Sequence, residues 1–198
     1  MSNPEVPTKR AAYANGERKR AEIVDAALTV FAEKGFRRLS LRQIAEELGT
    51  SHVSLRYHFG TKDALLEAVL EHREERDRPW RERVLREKGL FDGVPEVMRR
   101  NVGMRGVIQL DATLLAEGIA ADHPVHEFVR RRERLFHEAV RGELERERAR
   151  GALRDGLDLD VVARQLTALI EGIQVQWLYD DSIDMAEHLA GFMDYLRS

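Results

Sequence analysis

Apolar residues recur along this chain at spacings of three and four rather than two, the repeat of amphipathic helices. Between residues 17 and 34 the stripe is Ile23, Ala27, Val30 and Phe31, widened by Val24 and Leu28, and Gly35 stands where that helix should end. Leu41, Ile44, Ala45 and Leu48 mark a second, short helix. Ser40 with Gln43 has the form of a capping box, in which the serine oxygen takes a free backbone N–H and the glutamine reaches back. Gly49 predicts the stop of this helix, and Ser51 predicts the cap of a third, over about residues 52–58, with Leu55 and Phe59 turned inward. Phe31, Phe36, Leu39, Ile44 and Leu48 are the expected small core. Thr61 caps a fourth helix through LLEAVLEHREERDR, which Pro79 is expected to kink or break, because proline lacks the N–H and clashes with the preceding turn.

Further on, Gly89 and Gly93 predict a loop, with Pro95 in the first turn of a helix to about Val102. Val107 to Ala120 reads as a mostly apolar helix after a junction at Gly103 and Gly106. Asp122 is the expected cap of a long helix that Gly151 halts. Asp158 starts another through Tyr179, and Ser182 is the expected cap of the last, with Met185, Leu189, Phe192, Met193 and Leu196 in its stripe. No strand-like alternation and no internal repeat interrupts this plan. The predicted fold class is therefore all-α, with about nine helices.

Charge divides the chain. The overall net charge of −3 argues against a nucleic-acid partner, but residues 1–62 hold 11 Lys and Arg against 7 Asp and Glu, a net of +4. The remaining 136 residues hold 21 against 28, a net of −7. Such asymmetry is expected when one end meets phosphate and the other meets something else. Residues 1–16, punctuated by Pro4, Pro7, Asn15 and Gly16, are expected to form a disordered basic arm. Residues 17–62 and 63–198 are the expected domains. There is no cysteine, which removes disulfides, thiolate nucleophiles and cysteine metal sites. No apolar run approaches a membrane span, and MSNPEVPTKR lacks a hydrophobic signal region, so a cytoplasmic location is expected.

Two short helices joined by a tight glycine turn make a helix-turn-helix, whose second helix enters the DNA major groove in such units. Here that helix leaves Val53, Ser54, Arg56 and Tyr57 on its outer face. Arginine grips a guanine edge with two bonds, serine bonds several partners, and valine touches a thymine methyl. Lys62 and the free N–H groups at the start of the fourth helix suit a phosphate. An αα-hairpin that merely packs a core is the competing reading, but the outward face carries little beyond DNA-contact chemistry.

The stretch Ser40–Lys62 resembles the DNA-binding domain of the TetR family of bacterial transcriptional regulators. Gly49, Thr50, Ser51, Ser54, Leu55, Tyr57, His58, Phe59, Gly60, Thr61, Lys62 and Asp63 match the family's run in type. Arg56 departs from it, standing where the family most often has tyrosine, so base preference does not carry over there. The resemblance covers about residues 17–70; beyond them only the helical plan is shared. It implies an N-terminal three-helix DNA-binding domain followed by a larger helical domain for effector binding and dimerisation. It also implies a repressor, released from a palindromic operator by a small molecule. The expected DNA-contacting residues are Ser40, Arg42, Ser51, His52, Val53, Ser54, Arg56, Tyr57, His58 and Lys62.

The sequence points only weakly to catalysis, through Asp111 and Glu117 as a candidate carboxylate pair in one apolar helix. G-x-S-x-G, phosphate-loop and dinucleotide motifs are absent. His123, His126 and Glu127 are read as surface groups rather than metal ligands. No enzyme activity, cofactor or metal is expected. Asp111 and Glu117 sit in one apolar helix and Glu171, Gln174 and Trp177 in another, as in ligand pockets with a few placed polar groups. With Met98, Val102, Leu115 and Phe136 they form the expected lining of an effector cavity. A homodimer is expected through the last two helices, because residues 160–179 are apolar over much of their circumference. The alternative is a helical small-molecule-binding protein or enzyme with an incidental helix-turn-helix.

Overall fold

The computed structural model describes the backbone from residue 9 and side chains from residue 16 onward. Among the described residues there are eight α-helices, one 3-10 turn and no strand. They run α1 (Lys9–Lys34), the 3-10 turn (Phe36–Arg38), α2 (Leu41–Glu47), α3 (His52–Phe59), α4 (Lys62–Val102), α5 (Arg105–Glu117), α6 (His126–Ala149), α7 (Leu159–Tyr179) and α8 (Met185–Asp194). The all-α class is as expected, and the count is close to nine. α1 already begins at Lys9, so residues 9–16 are helical rather than part of a disordered arm; residues 1–8 of that arm lie outside the described residues.

The chain forms two compact units, the first ending at Arg73 and the second running Glu74–Ser198. In the first, Ile23, Ala27, Phe31, Phe36, Ile44 and Leu55 are buried together with Leu65, Leu66 and Val69 from the start of α4. Leu39 and Leu48, expected in this core, are only half-buried. Phe36 folds back on the end of α1, its ring edge-on to Phe31 with centroids 5.2 Å apart. His72 Nε2 lies 3.0 Å from Asp25 Oδ1, which ties the start of α4 to α1. The unit therefore continues past residue 62, the boundary expected from the sequence.

In the second unit one core joins Leu90, Met98, Ile108, Leu144, Leu166, Ile170, Trp177, Leu189 and Met193. α6 packs along α7 more extensively than any other pair of helices. No helix among the described residues is long and apolar enough to cross a membrane.

Three helix ends differ from expectation. α4 passes through Pro79 and is broken instead at Gly89, whose φ of 71° and ψ of −177° are open only to glycine. Gly93 is helical, so the expected loop shrinks to one residue. α6 starts after Val125, not at Asp122, and has no side-chain cap. Proline disfavours helical backbone in the residue before it, so His123 cannot open the helix ahead of Pro124. α8 is capped by Asp184, whose Oδ1 accepts from the N–H groups of Ala186 and Glu187 at 2.9 and 3.0 Å. Ser182 is occupied with Asp180 instead, and a carboxylate complements the helix dipole better than a hydroxyl.

Candidate nucleic-acid interface

The helix-turn-helix is fixed at both entrances by serine. Ser40 Oγ accepts from Gln43 N at 3.3 Å while Gln43 Oε1 accepts from Ser40 N at 2.9 Å. Between the helices, Gly49 takes a φ of 60°, and the N–H of Thr50 returns to Ala45 O at 2.9 Å. Ser51 Oγ then accepts from Ser54 N at 3.0 Å to start α3. Leu55 and Phe59 anchor α3 in the core, with the Arg20 guanidinium 5.1 Å from the Phe59 ring centroid.

The opposite side of α3 is open. Val53 and Tyr57 are 76% and 86% exposed, and His52 and Arg56 are exposed beside them. Two large apolar side chains held in water flank an arginine on one short helix, an arrangement that does nothing for the fold. Of the other expected contact residues, Ser51 is exposed, while Ser54 and His58 are half-buried, His58 with its ring 5.2 Å from that of Tyr57. Ser40 and Arg42 lie exposed at the start of α2. Arg42 is 3.2 Å from Glu46, but both are well exposed, so this pair is weak.

Lys62 also has a role inside the first unit. Its Nζ donates to the carbonyls of Phe36 and Leu39, each at 3.2 Å, and sits 4.1 Å from the Phe36 ring centroid. The cation thus staples the 3-10 turn to α4. Those partners lie 26 and 23 residues upstream, beyond the reach of a local pattern. Lys62→Ala is expected to destabilise the first unit by about 1–2 kcal/mol, because a charge-assisted pair of bonds is lost. A thermal melt monitored by circular dichroism checks this, and an unchanged melt would remove the staple. Arg37 and Arg38 lie outside the expected contact set. Both are exposed on the 3-10 turn that leads into α2, and their adjacency was the available signal.

The residues expected to line an effector cavity separate into three environments. Met98 and Trp177 are buried in the second unit's core, with Phe136 packed against it, and Arg105 stacks 5.0 Å from the Trp177 ring centroid. Leu115 is half-buried, and Val102 is 51% exposed. The polar members cluster between helices. Asp111 pairs with Arg132 at 3.2 Å, and Gln174 accepts from Asn101 Nδ2 at 3.3 Å while donating to Ile170 O. Glu117 lies 3.7 Å from His123 Nε2.

Glu171 stands out. Burial, and then the hydrogen bond to Glu133, push its carboxyl up to about 8, against the pull of Arg132. A carboxyl raised in the folded state binds its proton more tightly there than when unfolded. Stability is therefore greatest below the unfolded value and declines as pH rises toward 8. Glu171→Gln, which mimics the neutral form, is expected to gain on the wild type as pH rises from 5 to 8.5. The gain is on the order of 1 kcal/mol, or a few degrees in Tm, after solvent screening. Melting curves across that range check it, and parallel pH profiles for the two proteins would remove the shift.

Two family models match. Residues 23–69 match the bacterial regulatory proteins of the tetR family, and residues 104–198 match the C-terminal part of BetI-type transcriptional repressors. The chain is 38% identical over 52 residues to the HTH-type transcriptional repressor KstR2 of Rhodococcus jostii, covering 26% of each. It is 42% identical over 69 residues to the HTH-type transcriptional regulator RutR of Escherichia coli, covering 32% of each. The matched stretch thus spans only about a third or less of these curated relatives. Along its length the chain is similar to a solved TetR-family regulator from Rhodococcus sp., with a TM-score of 0.76 and 25% identity over 92% of this chain and all of that one.

Proposed function

Because the chain belongs to the tetR family of bacterial regulatory proteins, we propose that it is a cytoplasmic repressor that grips a palindromic DNA operator as a homodimer and leaves it when a small-molecule effector binds. The observation that carries this reading is the outer face of α3. Val53, Arg56 and Tyr57 stand in water there while Leu55 and Phe59 hold the helix from behind. The remaining DNA-facing set is Ser40, Arg42, Ser51, His52, Ser54 and His58, with Lys62 near the start of α4. Genomic DNA fragments selected by the purified full chain and sequenced test the reading. Enrichment of one inverted-repeat sequence supports it, and indiscriminate recovery overturns it.

The dimer rests on α7. Val162, Leu166, Ile170 and Ile173 face the core, yet Val161, Ala168, Gly172, Val175 and Tyr179 continue an apolar stripe on the other side. Val161 and Val175 are 50% and 38% exposed and Tyr179 90%, and on the neighbouring α8 end Tyr195 is 72% exposed. An apolar stripe on both sides of a helix calls for a second packing partner. Val175→Glu is expected to yield monomers in sedimentation equilibrium and to weaken operator binding by at least ~100-fold, because two linked half-sites gain that much from avidity. A dimer of wild-type stability in the variant would place the interface elsewhere.

Effector release is a population shift. The ligand must bind more tightly to a state whose two α3 helices no longer match the half-sites, since equal affinity for both states shifts nothing. The proposed lining remains Met98, Val102, Asp111, Leu115, Glu117, Phe136, Glu171, Gln174 and Trp177. The support for it is the set of polar groups held between helices beside the apolar core of the second unit.

A further inference from the structure

α6 and α7 run antiparallel, since Arg148 bonds Leu157 O at one end and Glu133 meets Glu171 toward the other. On α7, Asp160, Thr167 and Glu171 follow at spacings of seven and four and so share one face. On α6, Glu133 and His137 are four apart and share another. His137 Nε2 lies 3.1 Å from Asp160 Oδ1. The two cross-helix contacts, 137 with 160 and 133 with 171, bracket Thr167. Thr167 therefore lies on the face of α7 turned to α6, between those two contacts.

Thr167 and His137 are only 6% and 9% exposed. Among the described residues, Thr167 Oγ1 and His137 Nδ1 have no hydrogen-bond partner. Native proteins leave few buried polar atoms unsatisfied, and two within one helix seam require a reason. In the neutral imidazole whose Nε2 donates to Asp160, Nδ1 carries a lone pair and accepts. The seam then offers an imidazole acceptor, a hydroxyl and two carboxyl groups. Arg132, the cation beside the pair, is engaged by Asp111 at 3.2 Å. With Arg132 engaged by Asp111, acceptors outnumber donors in the seam, whose donors are the Thr167 hydroxyl and the proton of the Glu171 carboxyl.

We propose that the α6–α7 seam receives a small protonated primary amine, whose three N–H groups meet the Glu171 carboxyl, Thr167 Oγ1 and His137 Nδ1, with the Glu133 carboxyl beside them. This deepens the effector reading above and rests on it for any consequence at DNA. A cation placed beside Glu171 favours its charged form, so the carboxyl, protonated at neutral pH in the free protein, gives up its proton when the amine arrives. The exchange balances: one ammonium enters and one proton leaves to buffer. The other charged groups near the seam are Asp111 on α5, Arg132 and Arg141 on α6, and Asp160 and Arg164 on α7. An uncharged alcohol of the same shape cannot drive this exchange.

The test uses the full chain and a panel of butylamine, phenethylamine and putrescine, each against its matched alcohol or diol. Titration calorimetry at pH 7 in two buffers of different ionisation enthalpy reports both affinity and proton release. At least one amine should bind, at least ~10-fold more tightly than its matched alcohol or diol, and should release a substantial fraction of one proton. Glu171→Gln should abolish the proton release, and Thr167→Val, which keeps the shape, should weaken binding several-fold. Melting curves establish that both variants fold. If no amine outbinds its alcohol or diol up to 10 mM, or if both variants bind and release protons as the wild type does, the inference is overturned. The genomic DNA selection is independent. Amine binding without selected DNA would discard the repressor and keep the site, and selected DNA without amine binding would do the reverse.

Discussion

Glu147→Ala is expected to lower stability by about 2–4 kcal/mol, through a buried carboxylate that closes the break in α4. Gly89 interrupts that helix, so the segment after it begins with a backbone N–H that has lost its intrahelical acceptor. Glu147, 4% exposed, supplies one from α6: its Oε1 accepts from Leu90 N at 3.0 Å. A carboxylate there also meets the positive end of the segment's dipole. Arg150 Nη1 completes the arrangement at 2.8 Å. Alanine leaves the Leu90 N–H buried without its acceptor. Arg150 is half-exposed and recovers water, which keeps the loss below that of a fully buried pair. Glu147→Gln retains an oxygen acceptor and is expected to cost about 1 kcal/mol. Gly89→Ala should resemble Glu147→Ala, since its Cβ would stand 2.7 Å from Glu147 Oε1 on a backbone that alanine does not adopt. Urea unfolding followed by circular dichroism measures all three. A Glu147→Ala midpoint equal to that of the wild type would mean that water caps the segment equally well.

Arg56→Ala is expected to have the largest effect on DNA binding. A bidentate arginine contributes about 1–3 kcal/mol at its base, and a dimer uses it twice, so the loss on the selected operator is roughly 2–6 kcal/mol. Sequence preference should relax at the two symmetry-related positions while affinity for random DNA falls much less. Arg56 is exposed and packs nothing in the core, so the thermal melt should stay within about 0.5 kcal/mol of wild type. Electrophoretic shifts on operator and on mutated operators provide the measurement. Unaltered preference would move the base-reading role to another residue of α2 or α3.

The helix-turn-helix was legible in the sequence because its determinants are local. Ser40 with Gln43, Gly49, Ser51 and Thr61 each act within about four residues, and each does what its position predicts. Failures came where a distant partner decides. The tie of Lys62 to Phe36 and Leu39 was not legible, because those carbonyls lie far upstream. Pro79 looked like the break because proline is the stronger local signal, yet the break sits at Gly89, where Glu147, 57 residues on, supplies the missing acceptor. Asp122 and Ser182 lost their capping roles to the backbone restriction before Pro124 and to the nearby carboxylate of Asp184. The acidic residues among aliphatics were visible in the sequence. Their pairing across α5, α6 and α7 was not, because it depends on helix register set by apolar packing.

The separation of anchors from reading face in α3 also bears on how such a protein diverges. Leu55 and Phe59 hold the helix, while positions 52, 53, 56 and 57 contribute almost nothing to folding. Mutations at those four positions are therefore close to neutral for cellular abundance, whatever they do to DNA preference. After gene duplication, one copy can drift across many binding sequences without passing through unfolded intermediates. The same property makes the four positions a compact library for laboratory evolution: with proline and glycine left out, since both weaken a helix, members should express and melt much like their parent, so a screen would rank recognition alone.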